Sequence, residues 1–389
     1  MSVNTMSVEQ VFDVVNEMQE QVTGQKSIAP VNTSEFVSVA NTLLQIGYDP
    51  ILNSINQMIS RTIFSIRPYY RKFADLQVSN QKFGAHTRKL QMIDRPFENN
   101  LEWDLTDGES IDHYKINKPK VLQTNFYGMA TYCKRDTTFR DQLDNAFTGP
   151  EQLGEFLSMK YQNVLDQIEQ AHEDTARATI ANFIAGKIAA DNGVIHCLTE
   201  YNEHTGQSLT DITVYAPENF KPFIEWLYAR VEQLSEQMTE RSGLFQIQIN
   251  GSEINRHTPR ADQRIYMYSP LKAEIDKRVL TNEFHDNYLK LAKNESVNFW
   301  QSILDTMKVE VTPVYLGTDG NLVTAAEAVS QDKIIGVMFD RDAMGYTVVN
   351  QWNATTPLNI DGGYWNTSWH FTERYWNDFN EKGIVLVLD

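Results

Sequence analysis

Residue types that could bind a metal or act in catalysis cluster at one place in the chain. His196, Cys197, Glu200, Glu203 and His204 carry the nitrogen, sulfur and oxygen atoms that zinc prefers. Their spacing fits neither a standard zinc finger nor the three protein ligands of a catalytic zinc site. We therefore interpret them as polar loop residues, and we expect no metal, no cofactor and no catalytic centre.

Two shorter motifs also have a simpler interpretation than chemistry. Gly362-Gly363 lacks the remaining glycines of a phosphate or dinucleotide loop, so a kink or turn before a strand is the better reading. His172-Glu173 lacks the second histidine of a zinc protease motif, and an exposed polar helix face explains the pair.

The last part of the chain combines a charged turn with an aromatic segment. Residues 340–342, Asp-Arg-Asp, lie between two strand-like runs and indicate a solvated hairpin turn. In 364–379, aromatic and polar residues alternate with a period of two, which predicts a strand. An exposed strand of this kind could stack sugars or bases. We favour the alternative, in which its Trp and Tyr side chains pack beneath a helix.

The elements that position these motifs follow from the spacing of apolar residues. Residues 151–188 carry an apolar stripe at spacings of three and four, which predicts one helix about 57 Å long. Further helices are predicted at 8–21, from Ser34 to Leu44, and at 51–64, 217–241 and 271–279. Strands are predicted at 211–215, 244–249, 265–268, 308–315, 334–339 and 384–388, with a turn at 319–321.

Composition excludes several classes of protein. The 389 residues include 34 basic and 51 acidic ones, a net charge of -17, and such a surface repels phosphate and disfavours a general nucleic-acid clamp. Two cysteines cannot form a disulfide framework, so we expect a reducing compartment. The first ten residues lack the positive charge and apolar core of a signal peptide, and no apolar run is long enough to cross a membrane.

Charge is segregated between residues 61 and 113. Residues 61–95 contain eight Lys or Arg and two Asp, whereas 96–113 contain six Asp or Glu and no Lys or Arg. Two extended arms joined by an acidic bend explain this pattern. Such a flap cannot bury its own surface, so we expect it to dock on a neighbouring copy of complementary charge. The residues predicted at this contact are Arg67, Arg71, Lys82, Arg88, Lys89, Arg95, Glu102, Asp104 and Asp107.

The order of the elements resembles that of the major capsid protein of tailed bacteriophages, and it is most similar to that of short-tailed phages. The segments that carry the resemblance are 334–345 (IIGVMFDRDAMG), 350–352 (NQW) and 362–379. The resemblance implies an α+β chain with the Hong Kong 97-type (HK97-like) capsid fold. Its parts would be an N-terminal arm at 1–33, N-terminal helices at 34–66, an extended loop (E-loop) at 67–126, a peripheral domain at 127–193 with its spine helix at 151–188, an axial domain at 194–345, and return strands of the peripheral domain at 346–389.

The resemblance also implies a function and partners. The chain would be a structural protein rather than an enzyme, and copies would assemble in the host cytoplasm into hexamers and pentamers of an icosahedral head. The head would carry a portal protein and enclose double-stranded DNA without sequence-specific binding or a membrane. Too few residues precede the flap for the cleaved segment that some relatives carry, which implies a separate scaffolding protein and no obligatory maturation cleavage.

Some relatives form a Lys–Asn crosslink, but Lys82 and Lys89 have no partner asparagine and catalytic glutamate that we can match, so we predict none. Two other functions remain open from the sequence. One is an encapsulin-like nanocompartment shell protein, which shares the fold class and encloses enzymes. The other is a carbohydrate-active protein that uses Trp365 and Trp369.

Overall fold

A computed structural model of the chain shows how these elements are arranged. No helix among the residues it describes is both long enough and apolar enough to span a bilayer. It describes residues 8–23, 33–52, 69–78, 87–95, 97, 107, 114, 116, 118–127, 129–249, 254–274 and 294–389.

One long helix organises the molecule. It runs over Pro150–Ala189, 40 residues, which confirms the predicted helix at 151–188 and corresponds to about 60 Å at 1.5 Å per residue. Pro150 occupies the first turn, where its missing N–H is not needed. After the helix, Asp191 and Gly193 adopt positive φ angles and turn the chain into the next strand.

Two N-terminal helices pack on the first half of the long helix. They are α1 (Val8–Thr23) and α2 (Thr33–Ile46), and both were predicted. Val15 and Met18 of α1 join a buried cluster with Leu153 of the long helix and Trp365. Residues 48–52 are helical, so this helix begins three residues before the predicted start at 51, and residues 53–64 of the prediction lie outside the described residues.

A three-stranded antiparallel sheet lies beside the long helix. Its strands are β3 (Met129–Phe139), β12 (Met344–Thr355) and β13 (Tyr364–Asn377), in the order β12-β13-β3. Burial alternates along β13, which confirms the strand predicted from the period of two at 364–379. Its alternate residues Trp365, Trp369 and Phe371 are buried on the side of the long helix, so the packing interpretation of the aromatic strand is confirmed.

A five-stranded mixed sheet forms the second layer. Helices cover both faces of this sheet. Val337 and Phe339 face the second half of the long helix, whereas Ile335 and Met338 face helices Cys197–Thr205 and Pro217–Thr239. The strands are β4 (Val194–His196), β5 (Gln263–Tyr268), β6 (Asn294–Val297), β11 (Ile334–Asp340) and β14 (Gly383–Val387). Their order in the sheet is β4-β14-β11-β5-β6. The strands predicted at 265–268, 334–339 and 384–388 and the helix at 217–241 are thus confirmed. The helix predicted at 271–279 begins two residues earlier, at 269, and is helical to 274, the last described residue of this stretch.

Three predicted strands differ from the structure. Residues 211–215 form a 3-10 turn at Thr213–Tyr215, because the Thr210 and Thr213 hydroxyls bond to nearby backbone N–H groups and Pro217 then starts a helix. Residues 244–249 are irregular, since Phe245 takes a φ of 64°.

The predicted strand at 308–315 is broken at Pro313, because proline cannot donate to a ladder. Its two halves, β7 (Val309–Val311) and β8 (Val314–Leu316), pair with different strands. The partners are β10 (Val329–Gln331) and β9 (Leu322–Thr324). The turn at 319–321 between β8 and β9 is confirmed, with Gly320 at a φ of 81°.

The two arms of the predicted flap form an antiparallel hairpin of β1 (Thr87–Met92) and β2 (Val121–Phe126). We call these two strands the flap hairpin. It pairs with no other strand among the described residues. Most of the predicted acidic bend at 96–113 lies outside the described residues.

Candidate subunit-contact surface

The flap hairpin has one face toward the body and one toward solvent. Along β1, Lys89 and Gln91 point inward, whereas Leu90 and Met92 point outward and are 57% and 64% exposed. Val121 lies directly opposite Met92 on β2, so it shares the outer face, and it is 58% exposed. Three large apolar side chains thus lie together on the solvent side of a two-stranded ribbon. We call Leu90, Met92 and Val121 the outer apolar strip.

The inward Lys89 binds two buried carboxylates of its own chain. Its Nζ lies 2.7 Å from Asp378 Oδ2 and also contacts Glu381 Oε1. Burial alone would lower the pKa of Lys89, but Asp378 and Glu381 raise it above its usual value, so the lysine is a cation. Burial raises the pKa of Glu381, against the opposing effect of Lys89 and Arg256. This cation is therefore the main charge partner of two buried acids, and Arg256 is a second partner of Glu381.

A second contact fixes the outer end of β1. Asp94 accepts hydrogen bonds from Arg241 Nη2 at 2.5 Å and from the backbone N–H of Asn255 at 3.0 Å. Arg241 and Asn255 follow the helix Pro217–Thr239 in the chain. The flap hairpin is therefore attached at two points along β1.

The segment that leads toward the flap lies along the acidic face of the long helix. Arg71 Nη1 is 3.3 Å from Glu169 Oε1, and the Tyr69 hydroxyl donates to Glu173. Burial alone would raise the pKa of Glu173, but hydrogen bonds from Tyr69 and Arg177 hold it below its usual value. Basic and phenolic groups of the segment thus neutralise acids of the same subunit.

The interpretation of His172-Glu173 as an exposed polar face was wrong. Both side chains are buried, Glu173 under the segment 69–78 and His172 against Glu373 and Tyr346 of the three-stranded sheet. Burial lowers the pKa of His172 to about 4. The sequence could not show this, because the covering strands come from positions about 200 residues away.

The nine predicted contact residues have different environments. Arg71 and Lys89 bind carboxylates of their own subunit, as described above, while Arg88, Arg95 and Asp107 are exposed. The other four, Arg67, Lys82, Glu102 and Asp104, lie outside the described residues.

Sequence reasoning missed Asp94, Arg241, Asp378 and Glu381. Asp94 had a usable signal, since it is one of only two acids in the basic arm. Asp378 and Glu381 stand in the run DFNEK, where a strand of aromatic residues ends, and the charges there gave no indication of a distant lysine partner.

The other motifs are structural within the described part of the chain. His196 pairs with Asp389 at 2.5 Å and Glu200 with Arg230 at 2.8 Å, so the cluster of candidate zinc ligands is divided between ion pairs. Burial raises the pKa of the Cys197 thiol well above its usual value. No group of three potential ligands converges among the residues that the structure describes.

Residues 341–343 form a turn, but the predicted solvated hairpin was wrong, because β11 and β12 belong to different sheets and Asp340 is the last residue of β11. Asp340 is buried, accepts a hydrogen bond from the Thr258 hydroxyl at 2.7 Å, and has its pKa raised by burial. The predicted turn at Gly362-Gly363 is also confirmed, with Gly363 at a φ of 61°.

A spine-like helix between a three-stranded sheet and a layered lobe, with a projecting two-stranded flap, defines the class of capsid subunits with the Hong Kong 97-type fold. The sequence model of a family described as the Phi29-like phage major capsid protein matches residues 13–386. The chain belongs to this family, so the predicted resemblance is confirmed: it is a structural protein of the phage virion whose copies form a capsid lattice.

Solved structures agree on the fold. A chain in the capsid structure of Staphylococcus phage Andhra is 12% identical, with a TM-score of 0.53 over 85% of this chain and 87% of that one. A chain in the structure of head fiber and inner core protein gp22 of native bacteriophage P68 is 11% identical, with a TM-score of 0.54 and the same coverage of both chains. No curated protein sequence matches this chain.

Proposed function

We propose that this capsid protein assembles through its flap, with the outer apolar strip lying on an adjacent copy. Hexamers and pentamers joined in this way would tile an icosahedral head around double-stranded DNA. The observation that supports the proposal is the outer apolar strip itself, which exposes Leu90, Met92 and Val121 on a hairpin that no other described strand extends. Exposed apolar groups held together in this way are typical of protein contact sites.

Burial of the outer apolar strip would contribute a modest free energy for one subunit and a large one for a shell of many subunits. Full burial of one Leu, Val or Met side chain contributes roughly 1.5–3 kcal/mol, and these three residues still expose more than half of their surface. Each subunit in a closed lattice is held by several neighbours at once, so weak individual contacts add up to a durable assembly.

Charged residues of the flap would then orient it on the neighbouring copy. Arg88 lies on the outer face beside Leu90, and Arg95 and Asp107 are exposed as well. We propose that these three, with Arg67, Lys82, Glu102 and Asp104, meet opposite charges on the neighbouring copy. Arg71 and Lys89 would act indirectly, by holding the flap on its own subunit.

The remaining partners follow from the same role. We propose a separate scaffolding protein, a portal protein, and assembly in the host cytoplasm. The net charge of -17 suits an inner wall that repels packaged DNA and so leaves it free to enter and leave. The axial, peripheral and flap divisions at 194–345, 127–193 with 346–389, and 67–126 remain part of this proposal.

The test is a matched pair of substitutions at exposed methionines. Met92 of the outer apolar strip is 64% exposed, and Met159 of the long helix is 67% exposed. We expect Met92→Asp to leave the fold intact and to abolish most of the shell fraction in sedimentation and electron microscopy, because a carboxylate would be buried at the contact. Met159→Asp should assemble normally. Equal shell yields from both variants would contradict the proposed contact face.

A further inference from the structure

Two charged contacts attach the flap hairpin to the body, and both lie on the side of β1. Lys89 lies in β1, and Asp94 lies two residues after its end. We call these two contacts the flap clamp. Through Asp378 and Glu381 the clamp reaches the buried link between β13 and β14, and through Arg241 it reaches the end of helix Pro217–Thr239.

The other strand of the hairpin lies over open space. A cleft of about 700 Å³ separates β2 from the long helix, and its walls include Leu122 and Thr124 on one side and Asn182 on the other. A ring contact between Phe126 and Trp376, with centroids 6.4 Å apart, connects the end of β2 to β13, and the chain continues from β2 toward β3. A hairpin that is held by charged contacts along β1, with a cleft beneath β2, can rotate about β1 unless those contacts resist the motion.

The Lys89 contact resists this rotation because the buried acids Asp378 and Glu381 lie beneath the lysine. The side chains of Asp378 and Glu381 are 1% and 7% exposed with Lys89 in place. The next cation, Arg256, is 3.5 Å from the same Glu381 oxygen, and its two buried nitrogens make no hydrogen bond of good geometry. Moving β1 away would leave buried acids without their main partner, which is costly.

We propose that Lys89 is a positioning residue, which with Asp94 sets the direction of the flap on the free subunit before any neighbour arrives. The inference rests on the proposed contact face, because the clamp matters to assembly by aiming the outer apolar strip. A flap held in its bound direction does not lose that freedom when subunits associate, so the contact forms at lower entropic cost.

The test measures flap direction on the unassembled subunit. Spin labels at Gln123→Cys on the hairpin and Glu155→Cys on the long helix, both exposed sites, give a distance distribution by pulsed dipolar spectroscopy. The background carries Cys133→Ser, since Cys133 is the exposed native cysteine and Cys197 is buried. We expect one narrow distribution for the parent protein and a broadened, shifted one for Lys89→Met.

Three further variants separate the clamp from a general loss of folding. Arg88→Met, the neighbouring residue on the opposite face, should keep the narrow distribution, and so should Lys89→Arg, which retains the charge. The double variant Asp378→Asn with Glu381→Gln removes both acids that Lys89 binds, and it should broaden the distribution as Lys89→Met does. A narrow, unshifted distribution in Lys89→Met or in the double variant would overturn the proposal.

This readout is independent of the contact face. If Met92→Asp assembles normally, the proposed contact is wrong, while the distances still decide whether the clamp holds the flap. If Lys89→Met broadens the distribution and yet shells form at the parental rate, the clamp exists but does not position the flap for assembly, and the proposal fails on that point alone.

Discussion

Lys187 shows how a single side chain can hold distant parts of this fold together. It is fully buried near the end of the long helix, and its Nζ donates to the Phe245 carbonyl at 2.7 Å and to Asn192 Oδ1 at 3.1 Å. The Phe245 carbonyl also accepts the N–H of Gly383, so the irregular loop at 244–249 is tied to both a helix and a strand. Burial lowers the pKa of Lys187 from 10.5 to about 7.

This lowered pKa predicts a pH dependence of stability. Between pH 7 and the unfolded value, the unfolded chain binds more protons at this site than the folded protein does, so the free energy of unfolding rises with pH. Relative to Lys187→Met, which cannot titrate, the parent protein should gain about 2 kcal/mol between pH 7 and pH 9. Denaturant titrations of both proteins in the unassembled state measure this difference. A difference that stays constant or shrinks with pH would refute the prediction.

At the scale of elements, the sequence predicted those whose signal is local. The long helix and β13 have uninterrupted periods of 3.6 and 2 over many residues, and the structure has both with boundaries within two residues. The segments at 211–215 and 244–249 have strand-like composition, but side-chain hydrogen bonds of Thr210 and a distant lysine decide their conformation. Such contacts between distant residues have no local signature.

The candidate site divides in the same way. Charge segregation was enough to predict the flap and its two arms, because that signal lies within one stretch of sequence. It could not predict that Lys89 would point inward and bind Asp378, since the alternation along β1 depends on the register of the hairpin. A shift by one residue would exchange the inward Lys89 for the outward Leu90.

The junction between the long helix and the five-stranded sheet gives a prediction at this scale. Gly193 has a φ of 72°, and a Cβ there would lie 2.4 Å from the Gly383 carbonyl oxygen, whereas Gly206 has a φ of 68° and open space around it. We expect Gly206→Ala to cost about 1 kcal/mol in the free energy of unfolding, from backbone strain alone. Gly193→Ala should cost clearly more, because it also separates β4 from β14. Thermal or denaturant unfolding of the two variants gives the comparison, and equal costs would contradict it.

At the scale of the whole molecule, two of the three buried clusters include residues of the long helix, and the third lies on the far face of the five-stranded sheet, while the flap hairpin stands apart from them. The body is complete by itself, since both faces of the five-stranded sheet are covered. The flap hairpin contacts the body on its inner face, through Lys89, whereas each residue of the outer apolar strip is more than half exposed. The account therefore makes a neighbouring copy part of the folded environment of Leu90, Met92 and Val121.

A reconstruction of the assembled head by electron cryo-microscopy tests this claim most directly. The account predicts that Leu90, Met92 and Val121 are buried against an adjacent copy at every hexamer position, with Lys89 still bound to Asp378 and Glu381 of its own subunit. A shell in which the outer apolar strip faces solvent, or lies against its own subunit, would contradict the account.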